Sequence, residues 1–246
     1  MHNSVFQYFD IKACYTRILL KDGSKLKERF LELGLSGANI TVPHKEAAYN
    51  ACDEIRGFAR NVGVVNTIVN ENGKLIGYNT DADGFIFAIE EFKNIKRVLV
   101  LGAGGTAKAL VQKFLDEGMD VSILNRSQKR LQEFEQLNVK LFTWENFKNE
   151  EYDLVVNTTS AGLEDNSLPA PKELLEKILS HTRYVADAIY GKLTPFLQEA
   201  KKRSIPYKDG TDMLLGQGVL ASWLFLDKQY DKHLIKKVMK QSLQLS

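Results

Sequence analysis

Residues 97–109, R-V-L-V-L-G-A-G-G-T-A-K-A, constrain the fold more than any other stretch. Four apolar residues run into a turn containing Gly102, Gly104 and Gly105, and the pattern then becomes helical with Ala107, Ala109, Leu110 and Val111. A strand, a tight glycine turn and a helix in that order make a phosphate-binding unit. Gly102 permits the turn, Gly104 lets a pyrophosphate approach the backbone, and Ala107 stands where helix and strand pack closely. The N–H groups opening the helix then face an anion. An ordinary strand–helix turn is the alternative, but both flanks fit the nucleotide reading.

Downstream the pattern alternates. Strands are expected at 97–101, 120–125, 139–143, 153–157, 183–188 and 205–208, with helices at 105–117, 127–137, 171–179 and 194–203. Such alternation implies an α/β fold with a parallel, doubly wound sheet and right-handed crossovers. Upstream, residues 3–9 read as a helix, 12–19 as a strand, and Ser24 as the cap of the next helix. A short strand at 38–41 leads to a helix at 43–52. The segments 62–70 and 74–78 form a hairpin across Glu71-Asn72-Gly73, and Asp81 caps the helix that follows. Two closing helices, 211–226 and 231–244, fall outside the nucleotide-domain pattern. The expected organisation is a discontinuous catalytic domain, 1–80 plus 213–246, around a Rossmann-like domain, 81–212.

The composition excludes several classes. A net charge of +2 on 246 residues gives no footprint for nucleic acid or a membrane surface. The C-terminal lysines interleave with Leu234, Ile235 and Val238 as the wet face of an amphipathic helix. No apolar run reaches the roughly 18 residues of a membrane span. Cys14 and Cys52 show neither a metal-ligand spacing nor a disulfide framework, which points to a reducing cytoplasm.

The residues about 20 positions beyond the glycines select the dinucleotide. An acid there would hold the ribose 2′-hydroxyl of NAD. Here the second strand ends in Asn125-Arg126-Ser127, with Lys129 and Arg130 following. Guanidinium groups pair well with phosphate, and Arg126 can stack on adenine, so the segment favours NADP. A basic helix start in solvent is the bland alternative.

A second constellation lies in the N-terminal part: Asn39-Ile40-Thr41-Val42-Pro43-His44-Lys45, Gly63-Val64-Val65-Asn66-Thr67 and Gly77-Tyr78-Asn79-Thr80-Asp81. A ketone that accepts a hydride needs a proton for its developing alkoxide. A Lys–Asp pair can supply one, the amine moving the proton and the carboxylate orienting the amine. Singly, each residue has a bland role: Asp81 as a cap, Lys45 as a surface lysine, Asn66 as a backbone partner.

Together these motifs resemble the shikimate dehydrogenase family across nearly the whole chain. N-I-T-V-P-H-K, G-V-V-N-T, G-Y-N-T-D-A-D-G, G-A-G-G-T-A and N-R-S-Q-K-R are similar to its ordered motifs. So are Asn157 to Gly162, Asp187 to Tyr190 with Thr194-Pro195-Phe196, and Asp209-Gly210 with Met213, Leu214 and Gln217. The resemblance implies reversible NADPH-dependent reduction of 3-dehydroshikimate to shikimate, on the route to chorismate and the aromatic amino acids. It assigns proton transfer to Lys45 and Asp81, and substrate binding to Thr41, Asn66, Tyr190 and Gln217. It assigns NADP binding to Gly102, Ala103, Gly104, Gly105, Thr106, Ala107, Asn125, Arg126, Ser127 and Arg130, with Ala188 and Gly210 lining the nicotinamide. The expected partners are small molecules, with homodimerisation left open.

The chain departs from the family at its beginning. Members open with a strand and a G-x-P-x-x-H-S-x-S-P motif whose serines bind the substrate carboxylate; Met1-His2-Asn3 resembles only the tail of that segment. A chain that truly began at Met1 is expected to bind shikimate poorly and to have an unstable first domain. Asp212 adds a charge near the nicotinamide end. Rival functions are a quinate/shikimate dehydrogenase using NAD or both cofactors, a non-catalytic NADP-binding homologue, and a folate one-carbon dehydrogenase, against which Lys45, Asp81 and Gln217 argue.

Overall fold

The computed structural model describes residues 1–41, 43–148 and 150–244. The chain divides into two compact units, Met1–Phe87 with Leu214–Ser246, and Ala88–Met213. The first unit thus takes in residues 81–87, beyond the limit of 80 read from the sequence.

In the first unit α1 (His2–Tyr8) opens the chain, and a 3-10 turn (Gly23–Lys25) leads into α2 (Leu26–Glu32). Then come β1 (Gly37–Asn39), α3 (Lys45–Ala51), β2 (Glu54–Ile55), α4 (Ala59–Val62), β3 (Thr67–Glu71), β4 (Lys74–Tyr78) and α5 (Asp81–Ala88). The strands form one sheet in the order β1-β3-β4-β2, and the Asn72-Gly73 hairpin joins β3 to β4 in antiparallel register. Leu26, Phe30, Ala48, Val65, Ile68 and Leu75 fill its core.

Three expectations fail here. The strand expected at 62–70 begins only at Thr67, because Ala59–Val62 form α4 and the chain turns at Gly63. Residues 12–19 form no strand. Their β-branched and aromatic residues suit a pleated surface, but a strand exists only where a neighbouring edge takes its backbone groups. Here Tyr15 bonds instead to the side chain of Asn3, through its N–H (2.6 Å) and its carbonyl (3.0 Å). Nor does Ser24 cap α2. Asp22 accepts the Ser24 N–H at 2.9 Å and caps the 3-10 turn ahead of the helix. The short β2 and α4 carry too few residues to show a period, and the sequence reading missed both.

The second unit begins with β5 (Arg97–Leu101), followed by α6 (Gly105–Asp116), β6 (Asp120–Leu124) and α7 (Gln128–Leu131). It continues through β7 (Lys140–Phe142), β8 (Tyr152–Asn157), α8 (Lys172–Leu179), β9 (Thr182–Asp187), α9 (Pro195–Lys202) and β10 (Tyr207–Lys208). The helix expected at 127–137 is shorter: after α7 it tightens into a 3-10 turn at Gln132–Phe134. All six strands are parallel, in the order β10-β9-β8-β5-β6-β7. Strand order reverses between β5 and β8, so a crevice opens beyond their C-terminal ends. Leu99, Leu101, Val155, Val185, Phe196 and Leu197 are fully buried in the core beneath. β8 is buried along its whole length, as a central strand covered on both faces must be.

The closing helices are α10 (Gly210–Phe225) and α11 (Lys232–Gln244). Val5 of α1 packs with Leu215, Val219, Ile235 and Met239 in a separate cluster of the first unit. Within that unit α5 and α10 meet with their backbones almost touching. A Cβ on Gly84 would lie 2.3 Å from Gln217 N, and one on Gly216 would lie 2.1 Å from Gly84 O. Backbone cannot retreat as a flexible side chain can, so Gly84→Ala is expected to destabilise the protein by about 3 kcal/mol, the upper end for overpacking. Urea unfolding reads this directly, and an unchanged midpoint would refute the close crossing.

His2 is buried, bonded through Nδ1 to Ser222 Oγ at 2.7 Å and stacked on Tyr15 at 4.2 Å between ring centroids. Burial lowers its pKa to about 4. The unfolded chain therefore binds a proton at a higher pH than the folded one. The stability this group contributes is complete above pH ~6.5 and is lost as pH falls towards 4, by about 3 kcal/mol in all. Unfolding midpoints measured between pH 7 and 4.5 should show that slope, and His2→Gln should flatten it.

Candidate active site

The glycine turn is built as its residues require. Gly102 has φ +106°, a conformation that favours glycine, and a Cβ there would meet Thr159 Cγ2 at 2.8 Å and Thr158 Oγ1 at 2.9 Å. Side chains on Gly104 or Gly105 would meet only open space. Gly104 caps α6 with no side-chain acceptor and no acid follows in the first turn, so the helix presents bare N–H groups and a positive dipole end. Gly105 and Thr106 are exposed in that first turn, whereas Ala107 is fully buried on the core side.

A cavity of about 540 Å³ opens beyond the ends of β5, β6 and β8. It brings together Gly102, Ala103, Gly104, Asn125, Arg126, Ser127 and Arg130. Asn125 Nδ2 donates to Ser127 O at 2.9 Å, which shapes the turn bearing Arg126. Trp144, Thr158 to Ala161, Asp165, Ser167, Leu168 and Pro169 complete the walls. None of these was picked out from the sequence as a site residue. The switch-point rule would have found Thr158 to Ala161, since they follow β8; Trp144 carries no motif. Asp165 is a carboxylate the sequence reading did not count. Its Oδ1 accepts from Ser167 Oγ at 2.7 Å, Ser167 N at 3.0 Å and Gly162 N at 3.1 Å, and these bonds hold its pKa below the usual range.

A buried polar network reaches the cavity wall through Thr159. Asp187 Oδ1 accepts from Asn157 Nδ2 (3.1 Å) and Ile189 N (3.0 Å), and its Oδ2 accepts from Thr194 Oγ1 (2.7 Å). Asn157 Oδ1 in turn accepts from Thr159 N (3.0 Å) and Oγ1 (2.7 Å). The ends of β8 and β9 are thus tied to the loop that walls the cavity. Burial raises the Asp187 pKa despite these donors.

Ala188 and Gly210 meet in the same unit. A Cβ on Gly210 would lie 2.5 Å from Ala188 O, so chain packing by itself requires glycine there. Tyr190 is 64% exposed. Asp212, without a role in the sequence reading, lies 3.5 Å from Lys208 Nζ, which also bonds Glu91 at 2.9 Å.

In the first unit Lys45 Nζ donates to Asp81 Oδ2 at 2.7 Å, with the two side chains 28% and 23% exposed. Lys45 opens α3 and Asp81 opens α5. The helix starts one residue earlier than a cap at Asp81 would give: Asp81 is its first residue, and Asn79 Oδ1 accepts the Asp81 N–H (3.1 Å). Asn66 is buried at the start of β3. Its Oδ1 accepts from Thr80 N (2.8 Å) and Thr67 Oγ1 (3.0 Å), and its Nδ2 donates to Thr80 Oγ1 (3.1 Å). Asn66 therefore supports the segment leading into Asp81. Gln217 donates from Nε2 to Leu214 O (3.0 Å), on the turn of α10 packed against Gly84. Thr41 is exposed, and Val42 beside it lies outside the described residues.

A family model described as "Shikimate dehydrogenase substrate binding domain" matches residues 1–68, and one described as "Shikimate / quinate 5-dehydrogenase" matches residues 87–165. A Shikimate dehydrogenase (NADP(+)) of Helicobacter hepaticus is 43% identical over 234 residues, covering 94% of this chain and 87% of the relative. The chain belongs to the shikimate dehydrogenase family. Among solved structures, the shikimate 5-dehydrogenase of Thermus thermophilus, in complex with NADP(H) and shikimate, is 29% identical with a TM-score of 0.80, over 98% of this chain and 92% of that one. A 5-ketofructose reductase of Gluconobacter is 26% identical with a TM-score of 0.81, over 98% of this chain and 91% of that one. The family fold thus also carries another substrate, so its side chains, and not the fold, set what is reduced.

Among the described residues no helix is long and apolar enough to cross a membrane. None of their His, Cys, Asp and Glu side chains gather in threes to hold a metal ion.

Proposed function

We propose that this chain catalyses the reversible NADPH-dependent reduction of 3-dehydroshikimate to shikimate. The observation that carries the reading is the 2.7 Å Lys45–Asp81 pair in a member of this family. NADP, when bound, supplies or accepts the hydride. The residues that would hold it fit the group: the open backbone at Gly104 and Gly105 suits pyrophosphate, and Arg126, Ser127 and Arg130 suit a 2′-phosphate. Lys45 gives a proton to the carbonyl oxygen on reduction and takes it back on oxidation. Asp81 keeps the amine oriented and shares the proton. Thr41, Asn66 and Gln217 bond substrate hydroxyls or carboxylate, with Tyr190 near the ring. Asn66 also holds the segment carrying Asp81. A site built on such bonds rejects analogues lacking a hydroxyl, because its own polar groups would be left unpaired.

Both cysteines are free, which supports a cytoplasmic location. Assembly, as monomer or homodimer, is read by sedimentation equilibrium. The deciding assay is the growth of reduced-nicotinamide absorbance with shikimate and NADP. Parallel runs with quinate and with NAD test the rival dehydrogenase, which the description "Shikimate / quinate 5-dehydrogenase" keeps in view. Tight NADP binding with no turnover would reject the reading in favour of a non-catalytic homologue.

A further inference from the structure

We propose that Trp144 is the stacking wall for the adenine ring of the dinucleotide. The proposal rests on reading the cavity of the second unit as the NADP site. In this strand order the adenosine half of a dinucleotide belongs on the β5-β6-β7 side of the switch point. Trp144 lies two residues past the end of β7 and lines the cavity together with Leu124, Arg126 and Arg130.

The indole is held from behind. Trp144, Phe142 and Phe147 all pack against the core cluster of the unit, and the two phenylalanine rings meet edge to face at 5.3 Å. Asn146 Oδ1 accepts the Thr143 N–H at 2.7 Å and fixes the turn that carries Trp144. The side chain is only half-buried, so a packed aromatic body still shows surface to the cavity. Adenine is a flat, polarisable ring, and a face of this kind recognises it without reading its edge. Arg126 and Arg130 then take the phosphate, while the indole takes the base.

The test uses the intact chain and adenosine 2′,5′-bisphosphate, which carries the base and the 2′-phosphate but no nicotinamide. The protein has two tryptophans, Trp144 and Trp223. In Trp223→Phe protein, the remaining emission should be quenched saturably by this probe. Trp144→Leu should raise its Kd about tenfold, as loss of one base–aromatic stack does, while Trp144→Tyr should keep most of the affinity. Nicotinamide mononucleotide should bind Trp144→Leu protein as it binds wild type. A Trp144→Leu protein with wild-type affinity for the bisphosphate overturns the proposal alone, even if its unfolding midpoint falls. Wild-type protein that fails to bind the bisphosphate overturns the cofactor reading, and this proposal with it.

Discussion

Lys45→Ala is expected to lower kcat about a thousandfold while leaving the Kd for NADP unchanged. The rate term follows from the general range for a positioned proton donor, about 10²–10⁴. The binding term follows from the chain's organisation. The cavity offered to the dinucleotide is lined wholly by residues of Ala88–Met213, whereas Lys45 belongs to Met1–Phe87. Removing Lys45 also leaves the Asp81 carboxylate without the amine it bonds at 2.7 Å. Lys45→Arg separates charge from proton transfer. It keeps a cation beside Asp81, yet a guanidinium does not give up its proton near neutral pH. Turnover should therefore stay low in Lys45→Arg protein. Pre-steady-state rates are the proper measurement, since product release can mask a slowed chemical step. Normal turnover in either variant would remove Lys45 from the mechanism.

Arg126→Ala should raise the Kd for NADP about thirtyfold, and Arg130→Ala by a similar factor, with little change for NAD. A hydrogen bond to a charged group contributes about 1.5–3 kcal/mol, and 1.4 kcal/mol is tenfold in affinity. Both guanidinium groups are exposed and line the cavity beside Ser127. No carboxylate at the tip of β6 competes for the ribose: Asn125 stands there and spends its amide on Ser127 O. Calorimetric titration of each variant with both cofactors makes the comparison. Equal losses for NADP and NAD would assign the arginines to the shared pyrophosphate and not to the 2′-phosphate. Because the interaction is charge on charge at the surface, the NADP preference should also shrink as salt rises.

Much of the second unit was legible from residue order. Its strands are apolar runs bounded by turns, and its helices follow them in regular alternation, α9 starting at a side-chain cap, Thr194, whose Oγ1 accepts the Leu197 N–H. The first unit was less so. Residues 12–19 have strand composition and form none, while β2 and α4 have almost no pattern and form anyway. Strand formation depends on which edge is on hand, and a short window cannot report that.

The site divides in the same way. The glycine turn, the basic Asn125–Arg130 segment and the Lys45 and Asp81 motifs are local chemistry, so the sequence by itself determined the cofactor class and pointed to the Lys–Asp pair proposed for proton transfer. Tertiary structure alone decided that Trp144 faces the same cavity as Arg126, and that Asp187 ties β8 to β9. It also decided that Asp81 turns to Lys45 while Asn79 takes the helix N–H, and that Asn66 is committed to Thr67 and Thr80. The reason is common to all of these. Most of these hydrogen bonds and cavity walls join groups far apart in sequence, and only the packing of the sheet and its helices determines which of them meet.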